Sequence, residues 1–429
     1  MDAMKRLILV LLLVVPGLAR ADLEFTVTGG NTRAKPIAIV PFAGNDPSQT
    51  DVAGIIEADL NRSGLFQSLP RGDMLERPNE PGQVDFRNWR AVNMESLVIG
   101  RMNREPGSDR MSTRFFLLDV YRGEQLIAYD MPPVAPDQLR YVAHQIADLI
   151  FERLTGIPGI FNTKIAYVAS SGFGPSRTYQ LLISDADGFN PRTIASSRET
   201  LMSPAWSPDR KKLAYVAYER GRSGIYVHDI ATGVVKRVIS EKGINGSPAW
   251  SPDGTQLAIT LSYETNPDIY IIDVASGRKR RITDHYGIDT EPAFAPDGQS
   301  IVFTSDRGGQ PQLYRTSVGG GDAQRITFQG KQNLRASFAP DGKSLALVNV
   351  ENSSYRIALL DLASGNLRIL SDGNMDESPS FAPNGAVIIY ATQKSGAAEL
   401  ATVTTDGRVK QRLRQPGDVR EPAWSPLSR

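Results

Sequence analysis

The sequence predicts a two-domain protein: an N-terminal α+β domain followed by an all-β six-bladed β-propeller closed by its C-terminal strand. Three observations carry this. An aromatic residue in a recurring word returns at positions 206, 250, 294, 338, 381 and 424, a step of 44 or 43 residues. Short β-rich runs fill each interval. The chain then ends on the opening word of a repeat, EPAWSPLSR at 421–429, without the rest of it.

A period near 44 residues fits either a four-stranded propeller blade or a helical array. The runs decide between them. After each SPDG-like turn come LAYVAY from 213, LAITLSY from 257, IVFTS from 301, LALVNV from 345 and VIIYAT from 387. A second run follows (IYVHDI, IYIIDV, QLYRTS, RIALLDL), then a turn with Gly and a third run such as VKRVIS or RKRRIT. Runs this short, rich in β-branched and aromatic residues and bounded by Gly, Asp and Ser, are strands. The aromatic is large enough to fill the wedge between blades. Pro-Asp-Gly sets a tight turn. Asp209, Asp253, Asp297 and Asp341 recur once per blade in that turn, so they are expected to be turn residues rather than a catalytic or metal-binding set.

Five full repeats begin at Ser203, Ser247, Glu291, Arg335 and Ser378. Ahead of them, KIAYVAS from 164, YQLLISDADG from 179 and RTIAS from 192 form a partial repeat that lacks its first strand. The terminal EPAWSP supplies that strand, and the ring closes without an open sheet edge.

The expected boundaries are residues 1–21, 22–33, 34–158 and 159–429. Residues 1–21 read as a cleaved signal peptide: Lys5 and Arg6, an apolar run from Leu7 to Val15, and Ala19-Arg20-Ala21. That run is too short to span a bilayer, and no later stretch is longer and as apolar. Removing Asp2, Lys5, Arg6 and Arg20 changes the formal charge from +1 to −1. A near-neutral chain offers no electrostatic footprint for nucleic acid. With no cysteine in the chain, thiol chemistry is excluded and stability must come from the core.

In the α+β domain, KPIAIVPF at 35–42 reads as a buried strand. A helix over 49–62 carries Val52, Ile55, Ile56 and Leu60, with Ser48 or Thr50 as its N-cap. SLVIGRM from 96 is a strand, and TRFFLLDVY and QLIAYDM pair as a hairpin about Arg122-Gly123. Pro136 opens a long helix ended by Gly156-Ile157-Pro158-Gly159. Residues 22–33 form a separate arm. Leu23, Phe25 and Val27 alternate with Glu24, Thr26 and Thr28, which fits an edge strand of the first domain or a detachable strand that adds to a partner's sheet.

The chain has no Gly-x-Ser-x-Gly, His-Glu-x-x-His, Walker or dinucleotide motif. His144 is placed on the polar side of the long helix, His228 in a strand and His285 in a loop, all with surface or packing roles. Asp185-Ala-Asp187-Gly188 reads as a turn, because a calcium loop would need downstream acidic ligands. No catalytic residue, metal or cofactor is therefore expected. An exported propeller hydrolase is the alternative, weakened by the absence of a nucleophile elbow. What remains is a binding surface where the loops entering the innermost strands gather at one mouth of the channel, mixing Met, Ile and Leu with Asn, Asp, Arg and Glu.

KPIAIVPF, LMSPAWSPD, NGSPAWSPDG, TEPAFAPDG, DESPSFAPNG and the final PAWSP stand in the order found in the TolB family, which the whole chain beyond the signal peptide resembles. The resemblance implies a non-enzymatic, monomeric periplasmic component of the Tol-Pal system of Gram-negative bacteria. It would bind the lipoprotein Pal at the propeller mouth and the inner-membrane protein TolA through the arm, supporting outer-membrane integrity and constriction during division. The resemblance also implies other outer-membrane lipoproteins as partners, and bacteriocins that would use the Pal site. Carried over by motif, the Pal-binding residues are Met202, Asn245, Thr290, Glu291, Asp376 and Glu377. The TolA-binding residues are Asp22, Leu23, Glu24, Phe25, Thr26 and Val27. Ile244 stands where some family members carry a polar residue such as His. The arm is expected either to pack on the α+β domain or to be released to TolA.

Overall fold

The computed structural model describes residues 23–27, 34–44, 50–264, 266–394, 396–413 and 415–427. The signal-peptide segment and Asp22 lie outside the described residues.

In the α+β domain a five-stranded sheet runs in the order Phe66–Ser68, Lys35–Ile39, Ser96–Arg104, Met111–Asp119, Glu124–Val134. The first three strands are parallel and the rest antiparallel. Helices α1 (Val52–Arg62) and α3 (Leu139–Thr155) cover one face through Ile56, Leu60, Val142, Ile146 and Ile150. A short α2 (Phe86–Ala91) brings Trp89 to the other face. The N-cap of α1 is Asp51, whose carboxylate accepts the Gly54 N–H at 3.0 Å, not Thr50; Ser48 lies outside the described residues. Asp51 sits immediately before the first helical residue, where its oxygen reaches an otherwise unpaired amide. Gly156, at φ +75°, ends α3 in the left-handed region that glycine favours.

The propeller has six blades of four antiparallel strands. The first blade is built from Asp418–Trp424, Lys164–Ser171, Thr178–Asp185 and Arg192–Ser197. Its closing strand pairs Asp418 with Ser170 and Trp424 with Ile165. Ser425 extends the closure: its N–H donates to Lys164 O at 2.9 Å, and its hydroxyl accepts from Lys164 N at 3.0 Å. The recurrent tryptophans bridge blades through their indole N–H. Trp206 donates to Ala423 O at 3.1 Å and Trp250 to Ala205 O at 3.0 Å. The repeated turn aspartates accept the N–H two residues on, at 2.9–3.0 Å, in all four cases.

The sixth blade carries a fifth strand. Leu23–Val27 pairs antiparallel with the outer strand Val409–Leu413, from Leu23 opposite Leu413 to Val27 opposite Val409. The arm therefore does not join the α+β sheet, as the edge-strand reading held, nor does it pack against that domain by strand pairing. The outer edge of a propeller blade leaves a row of backbone donors and acceptors unpaired, and this segment satisfies one such row.

Candidate functional site

Each inner strand carries a bulge at the same place, and each bulge contains a non-glycine residue at positive φ: Ser203 (53°), Ser247 (48°), Glu291 (54°), Arg335 (50°), Ser378 (57°) and Glu421 (53°). Opposite the bulge two residues face one on the neighbouring strand, as Ser203 and Pro204 do between the Met202–Val216 and Ala205–Ala214 pairs. Each such backbone costs about 1 kcal/mol. In return the six side chains form a girdle around the channel. Glu421 Oε2 accepts the Ser203 N–H at 2.6 Å and an Arg335 Nη2 donor at 2.9 Å. Glu291 Oε2 accepts from the Thr304 hydroxyl at 2.9 Å. Burial alone would push the Glu421 carboxyl up; the Arg335 guanidinium and the Ser203 donors outweigh it and hold the carboxyl below the usual glutamate range. On one side the girdle opens into a cavity of about 1360 Å³ walled by the recurrent Trp, Phe and Pro residues.

The mouth lies on the other side, where the loops enter the inner strands. Two residues before each girdle position the chain is buried in every blade, at Leu201, Asn245, Asp289, Asn333, Asp376 and Val419. Four of these are polar; Asn245, Asn333 and Asp376 hold the loop in front of them, and Asp289 holds the loop after Ser300–Ser305. Asn245 accepts from Glu241 N and donates to Glu241 O, both at 2.8 Å. Asp289 takes the Arg307 guanidinium at 2.7 Å, and Asn333 donates to Gln329 O and Gln312 Oε1, each at 2.8 Å. Asp376 accepts from Ser371, from Gly373 N at 3.2 Å and from Thr392 at 2.6 Å. Burial raises its carboxyl pKa.

Outside three of the anchors, Asn245, Asp289 and Asp376, the preceding residue is offered to solvent. Ile244 is 48% exposed, Ile288 47% and Met375 52%, with Tyr286 at 83% in the same loop as Ile288. Of the residues expected at the mouth, Met202, Thr290 and Glu377 are partly exposed beside the channel opening, and Glu291 belongs to the girdle. Asn245 and Asp376 are 1% and 0% exposed, so they position loops and do not themselves present a surface. Glu377 sits 3.7 Å from Arg420, and burial raises its pKa. The motif words aligned the blades correctly, but burial alternates along a strand, and a shift of one residue exchanges anchor for contact. The residues missed are Ile288, Tyr286 and Met375. Their signal was an apolar side chain in a Gly-, Asp- or Asn-containing loop, where no core requires it.

The junction between the domains is the second charged site. Arg140 on α3 donates to Asp185 at 3.1 Å, pairs with Asp187, and stacks over Phe189 at 4.0 Å. Arg62 on α1 reaches Asp59 at 2.7 Å and Asp187 at 3.6 Å. His144 is 3% exposed, with Nδ1 2.6 Å from Asp59 Oδ2, so it is a buried partner of α1 and not a residue of a polar helix face. The Asp185–Gly188 turn is indeed a turn, yet its carboxylates point at the other domain. Burial pushes Asp187 up, while Arg62 and Arg140 outweigh this and bring it down to about 2. His144, Asp185 and Asp187 have ligand-type atoms within 4.8 Å of one another. Arg62, Arg140 and Lys164 already neutralise these carboxylates and Asp59, so the cluster is an interdomain ion-pair network, and no metal is assigned to it.

A small α/β-type domain joined to a closed propeller, with apolar residues on the loops of its mouth, defines the class: a two-domain propeller protein. Comparison with known proteins gives the family. The model of the TolB amino-terminal domain matches residues 23–126, and that of the TolB β-propeller domain residues 151–428. The chain is 57% identical to the Tol-Pal system protein TolB of Thioalkalivibrio sulfidiphilus, over 100% of this chain and 99% of that protein. It is 60% identical to that of Nitrosococcus oceani, over 95% and 94%. The crystal structure of TolB from Acinetobacter baumannii superimposes with a TM-score of 0.88 at 40% identity, covering 95% of this chain and 100% of that one. The chain belongs to the TolB family, a non-enzymatic component of the Tol-Pal system, which sets the hydrolase alternative aside. Among the described residues, no helix is long and apolar enough to cross a membrane.

Proposed function

We propose that this protein acts in the periplasm, binding the lipoprotein Pal at the propeller mouth and TolA through the arm at residues 22–33, so that the outer membrane is held and drawn inward at division. The observation that carries the Pal reading is the set of exposed apolar side chains, Ile244, Ile288 and Met375, each standing directly outside a buried polar anchor. Apolar contacts held in fixed positions cost little ordering on association, which is how a small rim reaches useful affinity. Met202, Thr290, Glu291 and Glu377 stand at the opening; Asn245 and Asp376 serve by holding the rim in place.

The arm supports the TolA reading because it pairs with the blade along five residues of a strand ladder, an interaction another sheet edge could replace. Release to TolA and docking on the sixth blade exclude one another. If Pal occupancy biases that choice, TolA and Pal must alter each other's affinity by the same factor.

The test is calorimetric titration of residues 22–429 with the soluble Pal domain, beside Thr290→Arg and Ile288→Asp variants. Tight binding that is lost in folded variants is the expected result. Unchanged affinity in both would move the site away from the mouth, and no binding by the wild type would refute the Pal assignment.

A further inference from the structure

The segment 156–163, which joins α3 to the first blade, is held by two side chains of the helix it leaves: Thr155 Oγ1 accepts the Ile157 N–H at 3.1 Å, and Asp148 takes the amides further on. Asp148 Oδ1 accepts the Phe161 N–H at 2.7 Å, and Oδ2 accepts the Asn162 N–H at 3.2 Å. Gly159 lies so close that a Cβ there would collide with the Cα and carboxylate of Asp148. The same linker touches the sixth blade, where Asn384 Nδ2 donates to Pro158 O at 3.0 Å. Asp148 therefore sets the path by which one domain reaches the other.

The carboxylate is largely buried, and among the described residues no lysine or arginine is paired with it. From α1 it faces Asp59, and from its own helix His144, which is joined to Asp59. The linker contributes no titratable side chain. The charges of the first blade, Lys164, Asp185 and Asp187, are engaged with one another and with Arg62 and Arg140. Burial, reinforced by the nearby Asp59 charge, pushes the Asp148 carboxyl up to about 7 despite its two amide donors.

We propose that Asp148 is a proton-operated clamp on the interdomain linker. Neutral, it lies buried against the linker and still accepts an amide. When it gives its proton to solvent, a second carboxylate charge stands close to Asp59 in the buried junction, and it is relieved by admitting water beneath the linker. The linker then loosens, and the α+β domain gains freedom against the propeller.

The chain has no cysteine, so spin labels can be placed at will on Leu75→Cys in the first domain and Phe173→Cys on the propeller, both strongly exposed. The label-to-label distance distribution should broaden as pH rises, with a midpoint near 7. Asp148→Asn, which cannot ionise, should give a distribution that does not change with pH. A wild-type distribution constant across this range, or an Asp148→Asn variant that titrates like the wild type, would overturn the proposal. Should that variant not fold, the wild type still decides. Phe161 and Asn162 amide resonances that fail to titrate around neutral pH would overturn the clamp; a shared midpoint near 7 would support it.

Discussion

Arg335 and Glu421 meet in the channel with Nη2 2.9 Å from Oε2, although one stands on the fifth blade and the other on the strand that closes the first. The same Glu421 oxygen accepts the backbone N–H of Ser203 on the second blade. The closing strand is thus tied to blades on both sides of it through a single carboxylate.

That tie is sensitive to acid. The folded carboxyl lies below the ordinary value of 4.5. Its contribution is complete above that value and is lost as pH falls through the lowered one. Arg335→Gln should destabilise the protein at neutral pH by about 1–3 kcal/mol, and the gap should close at strongly acid pH. Denaturant unfolding of wild type and variant across that range measures it; a gap that persists in acid would contradict the assignment.

The ion pairs of Arg140 join α3 to the first blade, beside the longer reach of Arg62 on α1 to Asp187. Arg140→Ala removes both carboxylate contacts and the stacking on Phe189, at a cost of about 1–3 kcal/mol. The loss falls on the coupling between domains. Calorimetric unfolding should change from one transition towards two, since two-state behaviour depends on that coupling.

Adjacent residues at the mouth should behave oppositely. Asn245→Ala breaks bonds within its own loop and should cost about 1–3 kcal/mol of stability. Ile244→Ala, at a half-exposed position, should leave the melting temperature almost unchanged while weakening Pal binding. Parallel melting curves and titrations separate the two. If Ile244→Ala bound Pal as the wild type does, the third blade would not contribute to the rim.

Deleting residues 22–27 should uncover the outer edge of the sixth blade. Amide exchange in Val409–Leu413 should accelerate, while the equivalent outer strand Val235–Ile239 of the second blade stays unchanged. Phe25→Pro tests the same contact without shortening the chain, because proline cannot donate to a strand ladder.

Much of this architecture is legible along the chain because its determinants are local. The Trp-Ser-Pro-Asp-Gly words carry the turn, the wedge residue and the period in a few residues each, and a closing strand is implied once the repeats are counted. The order of the TolB words likewise names the family without coordinates. Other features depend on atoms far apart in sequence. Asn245 and Ile244 are neighbours in one loop, and only the packing of that loop decides which is buried. His144 and Asp187 look like a helix-surface residue and a turn residue until two domains bring them to one ion-pair network. The arm's alternation marks it as a strand, yet says nothing of which edge it will join. The sequence by itself determined the repeat, the closure and the family, because turn chemistry and strand pattern act over a few residues. The tertiary structure alone decided the exposed rim, the interdomain ion pairs and the docking of the arm, because burial and charge pairing depend on which surfaces the fold places together.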